Sequence, residues 1–225
     1  MSGTTSEADG PKRAPYRMRT ARLEVRGYRP TEAPALQRSM AHNREHLLPW
    51  MAWAIKEPLT VNQKLERILQ NRSSFDRAEE FVYGIFDPET GGILGGTGLH
   101  PRCGIGAIEI GYWIDVDHCG RGYAAEVTCA LTQAAFWDLG VTRVEIHCDP
   151  QNVPSKSIPL RFGFHEDAVL RQRYPMSDGV NRDTVVYSML RAEFDANPMR
   201  HAFLNRFDAL EQKLAVPTES PLKTS

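Results

Sequence analysis

Long apolar runs are absent. No stretch approaches the roughly 20 apolar residues needed to span a bilayer, so no membrane partner is expected. Residues 1–15 are polar and lack an apolar h-region, so they do not read as a secretory signal. An excess of one charge is also missing: 27 Lys and Arg against 28 Asp and Glu leave a formal net charge of −1. A broad nucleic-acid surface needs clustered cations to neutralise phosphates, and this balance argues against one while leaving room for a local cationic pocket. The four cysteines, Cys103, Cys119, Cys129 and Cys148, show no C-x-x-C spacing. They read as reduced thiols of a cytoplasmic protein. The histidines and cysteines have no ligand spacing, so no metal is expected. No internal repeat is found.

What is present suits one compact domain. The 225 residues are 41% hydrophobic and 24% charged, enough to bury a core without staples. Residues 1–17 form a polar tail expected to be disordered. The domain spans 18–192, and 193–225 is an extension, partly helical and then disordered over its last ten residues. Phe203, Phe207, Leu210 and Leu214 can line one face of a helix there. Phe203 and Phe207 need cover, so a homodimer is expected.

Within the domain the period of the apolar residues alternates between 2 and 3.6. Leu23, Val25 and Tyr28 mark a short strand, and Thr31 can cap a helix to about Leu47. A second helix fits 60–75, with Val61, Leu65, Ile68 and Leu69 on one face. Strands follow at 81–86, 93–100 and 107–115. A helix after Gly122 buries Val127, Leu131, Ala134 and Ala135 and stops at Gly140. A strand at 142–148, a short helix capped by Asn152, and two strands joined at Asp178-Gly179 complete the pattern. This is a mixed α/β (α+β) domain around a mostly antiparallel sheet.

The run 109–164 carries the chemistry. A strand ends near Asp115, and the loop 117–124 leads straight into a helix. Gly120 and Gly122 let the backbone turn and approach a ligand closely. The amides at the start of the helix, with its positive dipole end, suit a pyrophosphate, and Arg121 can add a charge-assisted contact. A plain strand–loop–helix connection would share this composition.

The loop does not stand alone. Cys119-Gly-Arg-Gly122-Tyr-Ala124 resembles the pyrophosphate loop Gln/Arg-x-x-Gly-x-Gly/Ala of the GNAT N-acetyltransferase superfamily, with Cys in place of the first Gln or Arg. Glu109-Ile-Gly-Tyr-Trp-Ile114 resembles that family's fourth strand. Asn152-x-x-Ser155 and Phe162-Gly163-Phe164 resemble its next helix and strand start. The segments 47–53 (Leu-Leu-Pro-Trp-Met-Ala-Trp) and 122–126 (Gly-Tyr-Ala-Ala-Glu) are similar to the RimJ/RimL-type branch, and the resemblance covers about 18–192.

The resemblance implies a GNAT fold in which strands four and five splay apart. It implies acetyl-CoA as co-substrate, with its pantetheine arm against Trp113, Ile114 and Asp115. It places the pyrophosphate on Cys119, Gly120, Arg121, Gly122, Tyr123, Ala124 and Ala125. Asn152 and Ser155 complete that side. Glu109 is the first candidate for the base, with His100 and His147 as rivals. Ser155 is the candidate acid for the CoA thiolate, because the slot of the family's usual tyrosine is Pro159 here. Glu126 reads as a dipole-stabilising first-turn carboxylate. Trp50, Trp53, Tyr112 and Tyr174 are acceptor-pocket candidates; of the two tryptophans one can instead plug the space between the first helices and the sheet. The implied activity is acetyl transfer to the primary amine of a peptide or small molecule. The alternatives are a detoxifying acetyltransferase and a CoA-binding module without turnover.

Overall fold

The computed structural model describes residues 12–176 and 179–217. Nine strands among them form one sheet: β1 Arg17–Arg19, β2 Glu24–Arg26, β3 Phe81–Phe86, β4 Ile93–His100, β5 Ala107–Ile114, β6 Arg143–Cys148, β7 His165–Pro175, β8 Asn181–Leu190 and β9 Asn205–Phe207. Their order is β7-β8-β6-β5-β4-β3-β2-β1-β9. Five helices accompany them: α1 Ala33–Leu47, α2 Val61–Asp76, α3 Tyr123–Ala134, α4 Val153–Arg161 and α5 Arg191–Ala196. The pairings are antiparallel except β5 with β6, which run parallel. The architecture matches the mostly antiparallel α/β sheet expected from the sequence.

Helices cover both faces. On β5 the register with β4 is unbroken from Glu109 to Ile114, so alternate residues keep to opposite sides. Ile108, Ile110 and Ile114 join the larger core with Val127, Leu131 and Ala134 of α3. Trp113 packs on the smaller core of α1 and α2, beside Leu36, Met40 and Ile68. α3 continues through a wider, π-type turn at Ala135–Leu139 and stops at Gly140, whose φ of 63° ends the helix.

Several local expectations are corrected. The helix expected to carry Phe203, Phe207, Leu210 and Leu214 is absent; α5 is short, and Phe207 ends β9, which pairs with β1. Spacing misled here because Arg206, between two outward neighbours, is the buried residue, held by Asp138 and the Ala215 carbonyl. The tail expected over 1–17 ends earlier: Ala14 is buried and Arg17 opens β1, while residues 1–11 lie outside the described residues. Thr31 does not cap α1; it lies in a 3-10 turn at Pro30–Glu32. On α2, Val61 and Leu69 stay exposed, and Lys64 is buried against Glu57 instead. Asp178 of the expected hairpin turn and 218–225 of the expected disordered end lie outside the described residues.

Candidate functional site

The site begins where two strands stop pairing. β5 and β6 share the register Ala107↔Arg143, Ile108↔Val144 and Glu109↔Glu145, and then diverge. β6 stays bonded to β8 along its whole length, and β5 to β4. From 110 to 114 the β6-facing edge of β5 therefore has no ladder partner. An open edge of this kind offers amides and carbonyls to an extended ligand as another strand would.

At the far end of β5 lies the glycine loop. Gly120 and Gly122 have φ of 76° and 80°, and Gly122 is the N-cap of α3. A Cβ at Gly120 would meet no protein atom within 4 Å, and one at Gly122 only Arg22 Nη2 at 3.5 Å. The cradle thus leaves room for a phosphate group over the first amides of α3. Arg22 and Arg121 supply cations beside it: Arg22 Nη1 donates to the Arg121 carbonyl at 2.9 Å, and Arg121 Nη2 to the Asp117 carbonyl at 3.1 Å. Glu126 fixes Arg22, accepting from its backbone N at 3.0 Å and from Nε at 2.7 Å, and accepts from Thr20 Oγ1 at 2.5 Å. Its role is to lock the β1–β2 turn onto α3, beyond the dipole effect expected. Cys119 Sγ faces His46 Nε2 at 3.6 Å and brings no cation to the cradle.

Asp115 is buried and turned inward. It accepts from Asn43 Nδ2 at 2.6 Å and from the Asp117 amide at 3.1 Å, while Asn43 Oδ1 accepts from the Val116 amide at 2.7 Å. Asn43 thereby moors the loop to α1. Its signal in the sequence is a polar residue in the buried stripe Leu36, Met40, Asn43, Leu47.

On the α1/α2 face, beside the last β5–β6 rung, two carboxylates and two arginines form a network. Arg102 Nε and Nη2 donate to Glu109 Oε2 at 2.7 Å and Oε1 at 2.6 Å. Arg143 Nη2 meets Glu145 Oε1 at 2.6 Å. His147 bridges the carboxylates, with Nε2 at 2.7 Å from Glu145 Oε2 and Nδ1 at 3.5 Å from Glu109 Oε2. Burial pushes the Glu109 carboxyl up, but the Arg102 hydrogen bonds and the charges of His147, Arg102 and His100 outweigh it and hold it below its ordinary value. His100, the other rival base, is tied to Glu80 at 2.7 Å. Cys103 closes the group; burial and the Glu145 carboxylate push its thiol up to about 12. Cys103, Glu109 and His147 offer ligand-type atoms within 4.8 Å of one another, a grouping invisible in their spacing. Arg102 already occupies both Glu109 oxygens.

The expected acceptor residues separate. Trp50 is half-buried, Trp53 is 38% exposed, and neither joins a core cluster; Leu48 and Met51 form the plug instead. Arg182 donates to the Pro49 carbonyl at 2.6 Å and lies 3.7 Å from Asp149, which moors the tryptophan segment at the end of β6. Tyr174 is near enough to Arg102 to favour its charge. Tyr112 does not join them. Its side chain packs on the larger core, opposite Trp113, and its hydroxyl lies 3.1 Å from Ser155 Oγ on α4. Ser155 sits in the first turn of α4, where Asn152 Oδ1 accepts from its amide at 3.2 Å as the expected cap.

The chain is similar to known proteins in sequence and in fold. A family model described as an acetyltransferase (GNAT) domain matches residues 22–165. The chain is 25% identical over 173 residues to "Probable N-acetyltransferase YjcK" of Bacillus subtilis (strain 168), covering 76% of this chain and 95% of that protein. It is 27% identical over 175 residues to "Putative ribosomal N-acetyltransferase YdaF" of the same organism, covering 77% and 93%. Among solved structures, the RimL ribosomal L7/L12 α-N-protein acetyltransferase in complex with coenzyme A shares the fold, with a TM-score of 0.70 at 21% identity over 77% of this chain and 97% of that one.

Proposed function

The chain belongs to the GNAT acetyltransferase family, and on that premise we propose that it transfers acetyl from acetyl-CoA to an N-terminal α-amine of a ribosomal-type protein substrate. The observation that carries the reading is the loss of pairing beyond Glu109↔Glu145, which opens a strand-edge cleft between the glycine cradle and the carboxylate network. The names of the relatives support the acceptor class. Bound acetyl-CoA supplies an activated thioester carbonyl.

The chain's own residues do the rest. The free edge of β5 aligns the pantetheine arm, and the cradle with Arg22 and Arg121 holds the pyrophosphate. Much of the rate comes from this positioning. Glu109, kept ionised by Arg102, attracts the ammonium, and the row Glu109–His147–Glu145 takes up the proton it sheds. Ser155 Oγ donates to the departing sulfur. Transfer is direct, without an acyl-cysteine stage: burial pushes the thiols of Cys129 and Cys148 up to about 11 and Cys103 to about 12, and raises Cys119 too, so thiolate is scarce near neutrality.

The test is thiol release from acetyl-CoA over N-terminal peptides, polyamines and aminoacyl nucleotides. Turnover is expected with the peptides and is lost in Glu109→Gln. Turnover on aminoacyl nucleotides alone would replace this acceptor with a detoxifying one. Tight CoA binding without turnover on any acceptor would sink the reading.

A further inference from the structure

Ser155 stands where the two arms of the cleft come closest to a common partner. Tyr112 reaches it from β5, and Cys148, at the end of β6, is near enough for Ser155 to favour its thiolate. Tyr112 has one hydroxyl hydrogen and two acceptors on Ser155, the carbonyl O at 3.2 Å and Oγ at 3.1 Å. The carbonyl needs a donor for a definite reason. In an α-helix the oxygen of residue 155 would accept from the amide of residue 159, and Pro159 has none. The Tyr112 hydroxyl answers a deficit that the proline creates, and so comes to lie against Oγ.

We propose that Tyr112 is a positioning residue for the departing sulfur, switching its hydrogen between the Ser155 carbonyl and the Ser155 hydroxyl. This rests on reading the cleft as an acetyl-CoA site. At rest, the Tyr112 hydrogen satisfies the carbonyl that Pro159 leaves open. As the N–C bond forms and the C–S bond breaks, the electron pair moves onto sulfur. The Ser155 hydrogen then turns to the sulfur, and the Tyr112 hydrogen turns to Oγ, which strengthens Ser155 as a donor. The proton shed by nitrogen leaves on the Glu109 side, and the CoA sulfur takes its proton from solvent on release.

The experiment separates this role from a mere helix strut. The pKa of the thiol of protein-bound CoA is followed by thiolate ultraviolet absorbance, with desulfo-CoA as the blank. Parent, Tyr112→Phe and the double variant Tyr112→Phe/Pro159→Ala are compared. The double variant regains an amide for the Ser155 carbonyl and so recovers thermal stability lost in Tyr112→Phe. The bound thiol pKa rises by roughly one unit in both, because a donor to the thiolate is weakened. In both, kcat falls about tenfold while KM for acetyl-CoA is unchanged. A thiol pKa unmoved by Tyr112→Phe, or restored by Pro159→Ala, would overturn the proposal and leave the reading of the cleft intact. Failure of the parent to bind CoA would overturn both.

Discussion

Glu109 and Glu145 face each other at the last rung between β5 and β6, and each is clamped by its own arginine, Arg102 and Arg143. Because Arg102 helps to hold Glu109 below its ordinary pKa, Arg102→Met lets that pKa climb. The acid limb of the kcat/KM profile is then expected to move to higher pH by about one unit. An acid limb that stays in place would remove Glu109 from the proton path.

Gly122→Ala tests the cradle. The new Cβ would sit 3.5 Å from Arg22 Nη2, an ordinary contact, so the cost is the positive φ of 80°. A loss of about 1 kcal/mol in stability is expected. CoA affinity should fall roughly tenfold by calorimetry, since the substituent crowds the amides that receive the phosphates. Unchanged affinity would place the pyrophosphate elsewhere.

Asp138 gives a pH-dependent contribution with a definite sign. Burial pushes its carboxyl up to about 6 from 3.8, although Arg206 beside it pulls the other way. The folded protein therefore holds this proton more tightly than the unfolded chain. That contribution is complete below pH ~4 and is lost as pH rises through ~6. The stability of Asp138→Asn, which mimics the neutral form, should therefore rise relative to the parent as pH climbs from 4 to 7, on top of a pH-independent loss from leaving buried Arg206 without its carboxylate. Urea midpoints of the two proteins across that range provide the measurement. A constant difference would mean that Arg206 keeps the carboxylate charged throughout.

Trp50→Ala and Trp53→Ala address the acceptor. Each should raise the acceptor KM by about tenfold and leave the CoA dissociation constant unchanged. Trp53 is 38% exposed and outside both cores, so its truncation should shift Tm by only a degree or two, of the order of ~0.5 kcal/mol. Parallel KM and Tm losses would return both rings to a packing role.

Local pattern made much of this fold legible. Alternation and glycine-rich turns mark β3, β4 and β5, and Val127, Leu131 and Ala134 mark the buried side of α3. The glycine loop and the cap at Asn152 are local too, so the loop before α3 and the start of α4 were readable. What escaped depends on long-range pairing. β9 is three residues long and gains its identity from β1, nearly 190 positions away, so helical spacing misread it. Arg102 and Glu109 meet across a turn between two strands, and nothing in their types announces a clamp. Tyr112 belongs to the face opposite Trp113 by simple alternation; what it meets there depends on where α4 packs, and no residue of β5 encodes that.

The sheet is continuous in strand order yet divided in strength. Six strands, β9 to β5, lie on one side of the β5–β6 junction and three, β6, β8 and β7, on the other, and three rungs join the two leaves. On the function proposed above, a strand-like arm seated in the gap supplies the rungs that the chain leaves out. Occupancy of the cleft and completeness of the sheet then become one quantity. On that reading each turnover ends by unmaking a piece of architecture, and release of the spent co-substrate is the step at which the completed sheet loses rungs that the chain itself does not make.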